Sequence, residues 1–157
     1  MKKFCLIILC FLLFISCSKK IILNGTYKNN ISPFGLSAYE VTFKNNGFCE
    51  FKNKRHLQNL YELKGKYTIK NNKVYIRFIE PKKNESIVDE LNCTPYNEYK
   101  SYELKKEKGV EFHYKYLIEN EKLYVYRIDN GKLVKRVEHY NDEKGRHKTE
   151  YYLRKIK

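Results

Sequence analysis

Leu63-Lys64-Gly65-Lys66-Tyr67-Thr68-Ile69-Lys70-Asn71-Asn72-Lys73-Val74-Tyr75-Ile76-Arg77-Phe78 is the stretch that decides the fold. In an extended chain Leu63, Gly65, Tyr67 and Ile69 share one face, and Lys64, Lys66, Thr68 and Lys70 share the other. After two asparagines the alternation resumes with Val74, Ile76 and Phe78. A period of two marks a strand buried on one side. Asparagine tolerates the positive φ that a tight hairpin turn demands, so the stretch reads as two antiparallel neighbours.

Outward from this hairpin the pattern repeats. Tyr39, Val41 and Phe43 alternate with Glu40, Thr42 and Lys44 before Asn45-Asn46-Gly47. Phe112, Tyr114, Tyr116 and Ile118 alternate with Glu111, His113 and Lys115, which places His113 on a strand surface. Further turn chemistry stands at Glu119-Asn120, Asn130-Gly131 and Lys144-Gly145. The expected strands are 24–29, 37–44, 47–52, 61–70, 73–80, 98–105, 109–119, 122–129, 132–140 and 147–155. So many antiparallel strands close into a barrel or pack as a sandwich, because open edges invite pairing with other chains. The chain is therefore all-β. Leu133-Val134 and Tyr151-Tyr152 put apolar groups on both faces, implying two-sided burial or strand bends. Pro81 to Asn97 breaks the rhythm: Ile87, Val88 and Leu91 have the spacing of one helical turn, so a short helix or a lid-like loop is expected there.

The N-terminus carries a different signal. Met1-Lys2-Lys3 precedes an apolar run from Phe4 to Ile15, then Ser16-Cys17 and the polar Ser18-Lys19-Lys20. The run is shorter than the roughly 20 residues needed to cross a bilayer, and it matches a secretory signal helix. It resembles a bacterial lipoprotein signal peptide, with the small Ser16 before the cysteine and Phe14 where leucine is usual. That resemblance implies a cleaved segment 1–16, a lipidated tether 17–23, and a domain 24–157 outside the cytoplasm. Cys17 would carry a thioether-linked diacylglyceryl group and often a third, amide-linked chain such as palmitate. Two or three acyl chains hold a protein stably, so the anchor to a bacterial membrane of the cell envelope needs no transmembrane helix. Ordinary cleavage near Ser16 or Ser18, releasing a free protein, is the alternative.

Asn24-Gly25-Thr26-Tyr27, Val41-Thr42-Phe43-Lys44-Asn45-Asn46-Gly47 and Gly65-Lys66-Tyr67-Thr68-Ile69-Lys70 follow one another in an order similar to that of bacterial lipocalin-like lipoproteins. The resemblance covers residues 24–80. It implies an up-and-down antiparallel β-barrel around a small apolar ligand, with Tyr27 closing the floor where the family has tryptophan. Tyr39, Phe43, Tyr67, Phe78, Phe112, Tyr114 and Tyr116 are then the candidate ligand-binding wall, the tyrosine hydroxyls among them orienting the ligand. A β-sandwich is the alternative architecture. Eight strands leave room only for side chains or one small ligand, and this chain has 15 Tyr and 9 Phe to fill such a lumen. A filled barrel leaves a different function: an envelope module that faces another protein, as an inhibitor or assembly factor.

Composition bounds the rest. The 157 residues carry a formal charge of +14, and removing 1–16, with Lys2 and Lys3 and no acid, leaves +12. Lysines are spread along every segment, so lipid headgroups rather than nucleic acid are the expected anionic neighbour. Lysines and aromatics interleave along Lys64–Arg77 and Tyr114–Arg127, a pattern also used to stack single-stranded nucleic acid; export argues against that use. Cys49 and Cys93 remain in the domain, and outside the cytoplasm they have the option of pairing. No Gly-x-Ser-x-Gly, phosphate-binding glycine loop or Cys-x-x-Cys is present, so no enzyme activity, metal or cofactor is expected. His139 and His147 flank the Lys144-Gly145 turn, where a hairpin would bring them near each other.

Overall fold

The computed structural model describes residues 21–31, 37–55, 58–82 and 95–156. The signal segment, Cys17, the trio Ile87, Val88 and Leu91, and Cys93 lie outside the described residues. The elements in chain order are β1 (Gly25–Asn29), β2 (Ser37–Phe43), β3 (Phe48–Arg55), β4 (Gln58–Lys70) and β5 (Lys73–Phe78). A short helix α1 (Pro95–Ser101) and the hairpin β6 (Lys105–Glu107) and β7 (Val110–Phe112) follow. Then come β8 (Tyr114–Glu119), β9 (Lys122–Tyr124), β10 (Tyr126–Asp129), β11 (Lys132–Lys135), β12 (Val137–Asp142), β13 (Gly145–Glu150) and β14 (Tyr152–Lys155).

Eight of these strands close an antiparallel barrel in the order β1-β2-β3-β4-β5-β8-β9-β14, with β14 returning to β1. Each barrel strand pairs with the next barrel strand along the chain, the up-and-down topology. The opening hairpin pairs Gly65 with Phe78, Tyr67 with Ile76 and Ile69 with Val74. Its turn holds Asn71 and Asn72 at φ of 50° and 57°, the left-handed pair that matches the twist of hairpin strands. Inward side chains fill the lumen: Tyr116, Phe43, Phe51, Leu63, Ile76, Leu123 and Leu153 are almost sealed from solvent. Gly65 stands among them because a Cβ there would lie 3.1 Å from the Arg77 carbonyl oxygen and 3.3 Å from the Cys49 sulfur.

The up-and-down course sends alternate connections to opposite ends. The turns β2–β3, β4–β5 and β8–β9, the start of β1 and the end of β14 share one end, the floor. There Tyr27, Phe43 and Tyr67 meet edge to face at 5.6 and 5.0 Å. Leu23 is buried beneath them, and the Tyr67 hydroxyl lies 2.9 Å from the carbonyl oxygens of both Leu23 and Lys44. The Ile156 amide donates to Thr26 O at 2.8 Å, so both ends of the domain are tied at the floor. All longer connections leave from the opposite end, the mouth.

Several expectations are corrected. Segment 98–105 is not a strand. Residues 95–101 form α1, with Pro95 at its first position, Glu98 in the first turn and Lys100 in the last, as suits a helix dipole. Tyr96, Tyr99 and Tyr102 recur every third residue, and Tyr99 and Tyr102 pack on the barrel core. Segment 109–119 divides at His113, because among the described residues β7 pairs only with β6 while β8 joins the barrel. His113 is buried, not on the surface: its Nδ1 accepts from the Phe78 amide at 2.9 Å and its ring stacks on Phe78 at 5.7 Å. Segments 122–129, 132–140 and 147–155 each break once, at Val125, Arg136 and Tyr151. Tyr151 turns inward and Tyr152 packs on Tyr124, whereas Leu133 and Val134 are both exposed, not buried on two sides. His139 stands opposite Lys148, and His147 opposite Tyr140, so the two histidines are not partners.

Candidate functional site

The mouth is built where three strand breaks lie side by side. Val125 O accepts from the Arg136 amide at 2.8 Å, and Arg136 O accepts from the Tyr151 amide at 2.8 Å. Beyond that level the wall between β9 and β14 splits into two ribbons. β10 pairs only with β11, and β12 only with β13, among the described residues. A lone two-stranded ribbon is marginally stable in water, so what it exposes matters. These two expose Ile128, Leu133, Val134, Val137 and Tyr140, half of the large hydrophobic side chains found exposed among the described residues.

At the base of the ribbons lies a cavity of about 180 Å³, lined by Tyr39, Phe51, Tyr102, Tyr114, Tyr116, Arg136 and Tyr151. That volume corresponds to about six waters of liquid, below the roughly 300 Å³ where pockets for drug-sized ligands begin. The Arg136 guanidinium lies 5.1 Å from the Tyr151 ring centre and donates from Nε to Glu138 Oε1 at 2.6 Å. Burial pushes the Tyr114 phenol up to about 12 against the opposing pull of Arg136, and raises Tyr116 and Tyr151 in the same direction. The cavity wall is therefore neutral phenol with one arginine already holding a carboxylate.

Of the candidate ligand-binding residues, Tyr39, Tyr114 and Tyr116 line this cavity. Phe43 and Tyr67 belong to the floor, and Phe78 packs in the core against Phe51 and Tyr102. Phe112 lies on the outer wall against Tyr75, at 5.4 Å. Phe51, Tyr102, Arg136 and Tyr151 were not among the candidates. The Tyr151-Tyr152 doublet signalled a bend without revealing that the bend aims Tyr151 into the mouth; nothing in the sequence singles out Arg136.

The interleaved lysines and aromatics have a local use on the outer wall. Lys135 lies 3.9 Å from the Tyr124 ring centre, Lys122 4.4 Å from Tyr152, and Lys115 4.4 Å from Tyr126. Each pair covers an outward ring with a lysine stem. Those ring faces are taken by the protein's own cations. Cys49 is a buried thiol whose burial pushes its pKa up to about 12, with Glu50 adding to the shift. Among the described residues no three His, Cys, Asp or Glu side chains gather as a metal site, and no helix is long and apolar enough to cross a membrane. No protein-family model matches the chain, and neither a curated protein nor a solved structure is significantly similar to it.

Proposed function

We propose that this chain is a lipid-anchored, lipocalin-like module of a bacterial cell envelope that uses a filled barrel to present its mouth end to another envelope protein. The observation that carries the reading is the pairing of a lumen packed with side chains and two ribbons whose apolar residues stand exposed among the described residues. Uncovered apolar surface of this kind is characteristic of interaction sites. Five residues, 18–22, separate Cys17 from the docked Leu23, and the six steps along the chain reach about 20 Å when extended. An acylated Cys17 would thus hold the floor close to the bilayer and turn the ribbons away from it. Cys17→Ala should move the protein from the membrane to the soluble fraction with its circular dichroism unchanged. Complete retention on membranes in high salt would count against the anchor.

A second reading keeps the small ligand. The lining of the mouth cavity favours it, since phenols and an arginine converge on one small space. Only a compact molecule fits, not an acyl chain running through the barrel. Native mass spectrometry of the domain purified from an envelope without detergent separates the two readings. The protein-facing reading expects the bare polypeptide mass. A discrete adduct lost on denaturation would transfer the function to the cavity.

A further inference from the structure

On the outer wall, the β6–β7 hairpin folds back at His113 over β5 and β8. Between it and the β10–β11 ribbon runs a groove of about 990 Å³. Its cations are Lys73, Lys105, Lys106, Lys108, Lys115 and Arg127, and the one carboxylate in its lining is Glu107. Glu107 is already committed: its Oε1 accepts from Lys73 at 2.7 Å and its Oε2 from Lys115 at 2.6 Å. Burial alone would raise its pKa, but those two ammonium groups outweigh it and hold the carboxyl at about 2. The lining keeps an excess of positive charge, six cations against the ionised Glu107, with Arg127 also 3.5 Å from Asp129 and Lys105 3.7 Å from Glu103. It is not uniformly polar: Phe112 and Tyr126 are buried within it, and Ile128 and Leu133 stand exposed along it. β10 has a ladder partner only in β11, so its other edge is open among the described residues.

We propose that this groove is the docking site for an acidic, partly apolar polypeptide segment of the partner protein, laid along the open edge of β10. The inference rests on the protein-facing reading above and names the chemistry of the partner. Three features select a polypeptide. Excess positive charge calls for carboxylates, which steer and orient association. Apolar side chains between the cations call for alternating apolar residues, as on one face of an extended strand. An open strand edge offers backbone hydrogen bonds, which only another backbone matches along its length. A flat sheet of anionic headgroups satisfies the first feature alone and does not enter a concavity.

The test uses the full chain in mild detergent and a fluorescent synthetic peptide of alternating Glu and Val, followed by anisotropy. The groove should bind this peptide and not its Lys-Val counterpart, with binding that weakens steeply as salt rises. Lys105→Glu with Lys106→Glu, both exposed side chains, should weaken binding about tenfold or more. The same charge change at Lys28 and Lys155, exposed on β1 and β14 and outside the groove's lining, should have much less effect. Equal loss from both double variants would mean a diffuse response to net charge and would overturn the site. So would a groove that ignores the peptide but takes up phosphatidylglycerol, with that uptake lost in the Lys105→Glu, Lys106→Glu variant, which would assign the groove to lipid. The ribbon-based reading fails or survives separately. If Val134→Asp with Val137→Asp abolishes the protein's contacts in the envelope while the acidic peptide is ignored, the ribbons keep their role and the groove loses its own.

Discussion

Gly65 shows how one residue of the opening stretch fixes the packing of the whole lumen. The alternation placed it on the buried face; its need to be glycine comes from neighbours the sequence keeps far away. An alanine methyl would press on the Arg77 carbonyl at 3.1 Å, the Ile76 Cγ2 at 3.2 Å and the Cys49 sulfur at 3.3 Å. The first is backbone held in the β4–β5 ladder, so little relief is available. Gly65→Ala should therefore destabilise the domain by about 1–3 kcal/mol, the usual cost of overpacking. Urea unfolding checks it, and an unchanged midpoint would mean the lumen is looser than described. Tyr39, Tyr114 and Tyr116 were legible at this scale because they sit on alternating positions. Phe112 was legible as buried but not as outward-facing, since the fold-back at His113 reverses its side and leaves no mark in the alternation. Arg136 was not legible at all, because its place at the mouth comes from three strand breaks aligned in space.

His113 is the hinge of an element. It stands between β7 and β8 and lets the β6–β7 hairpin fold back over the wall. Burial, and then the nearby Arg77, lower its pKa below the ordinary 6.5. Its neutral Nδ1 accepts the Phe78 amide, a role that protonation there would abolish. A depressed folded pKa means that the contribution is whole above about pH 6.5, the unfolded value, and is lost as pH falls below it toward the folded value. Urea midpoints measured downward from pH 8 should fall below that point. His113→Asn, which can still offer an acceptor near the amide, should lose that slope; an equal slope in both proteins would remove His113 from the account. Hairpin turns were the most legible elements. Asn71-Asn72 and Asn130-Gly131 adopt the left-handed pairs that their chemistry favours, with φ of 49° and 74° at the second pair. Lys108-Gly109 makes a similar turn, at 48° and 82°, but strands of three residues on either side give too little alternation to announce it. Helix α1 was misread for a similar reason: seven residues rich in tyrosine fit a strand as well as a helix until tertiary packing decides.

At the scale of the molecule, the barrel puts both ends of the domain at one pole and its unfinished surfaces at the other. The floor is closed by Tyr27, Phe43, Tyr67 and Leu23. The mouth carries the ribbons with apolar side chains exposed among the described residues, while the basic groove opens along the side of one ribbon. The closed antiparallel barrel was legible because nearly every barrel strand announces its buried face. The layout of the mouth was not, because the ribbons and Arg136 lie outside the barrel rhythm. Site-specific photocrosslinking in the native envelope tests the central claim most directly, with a photoreactive residue placed in turn at Val137 on the ribbon and at Lys28 on the barrel wall. The account predicts a discrete crosslinked polypeptide from Val137 and none from Lys28. Identical crosslinks from both positions, or none from the ribbon, would contradict it.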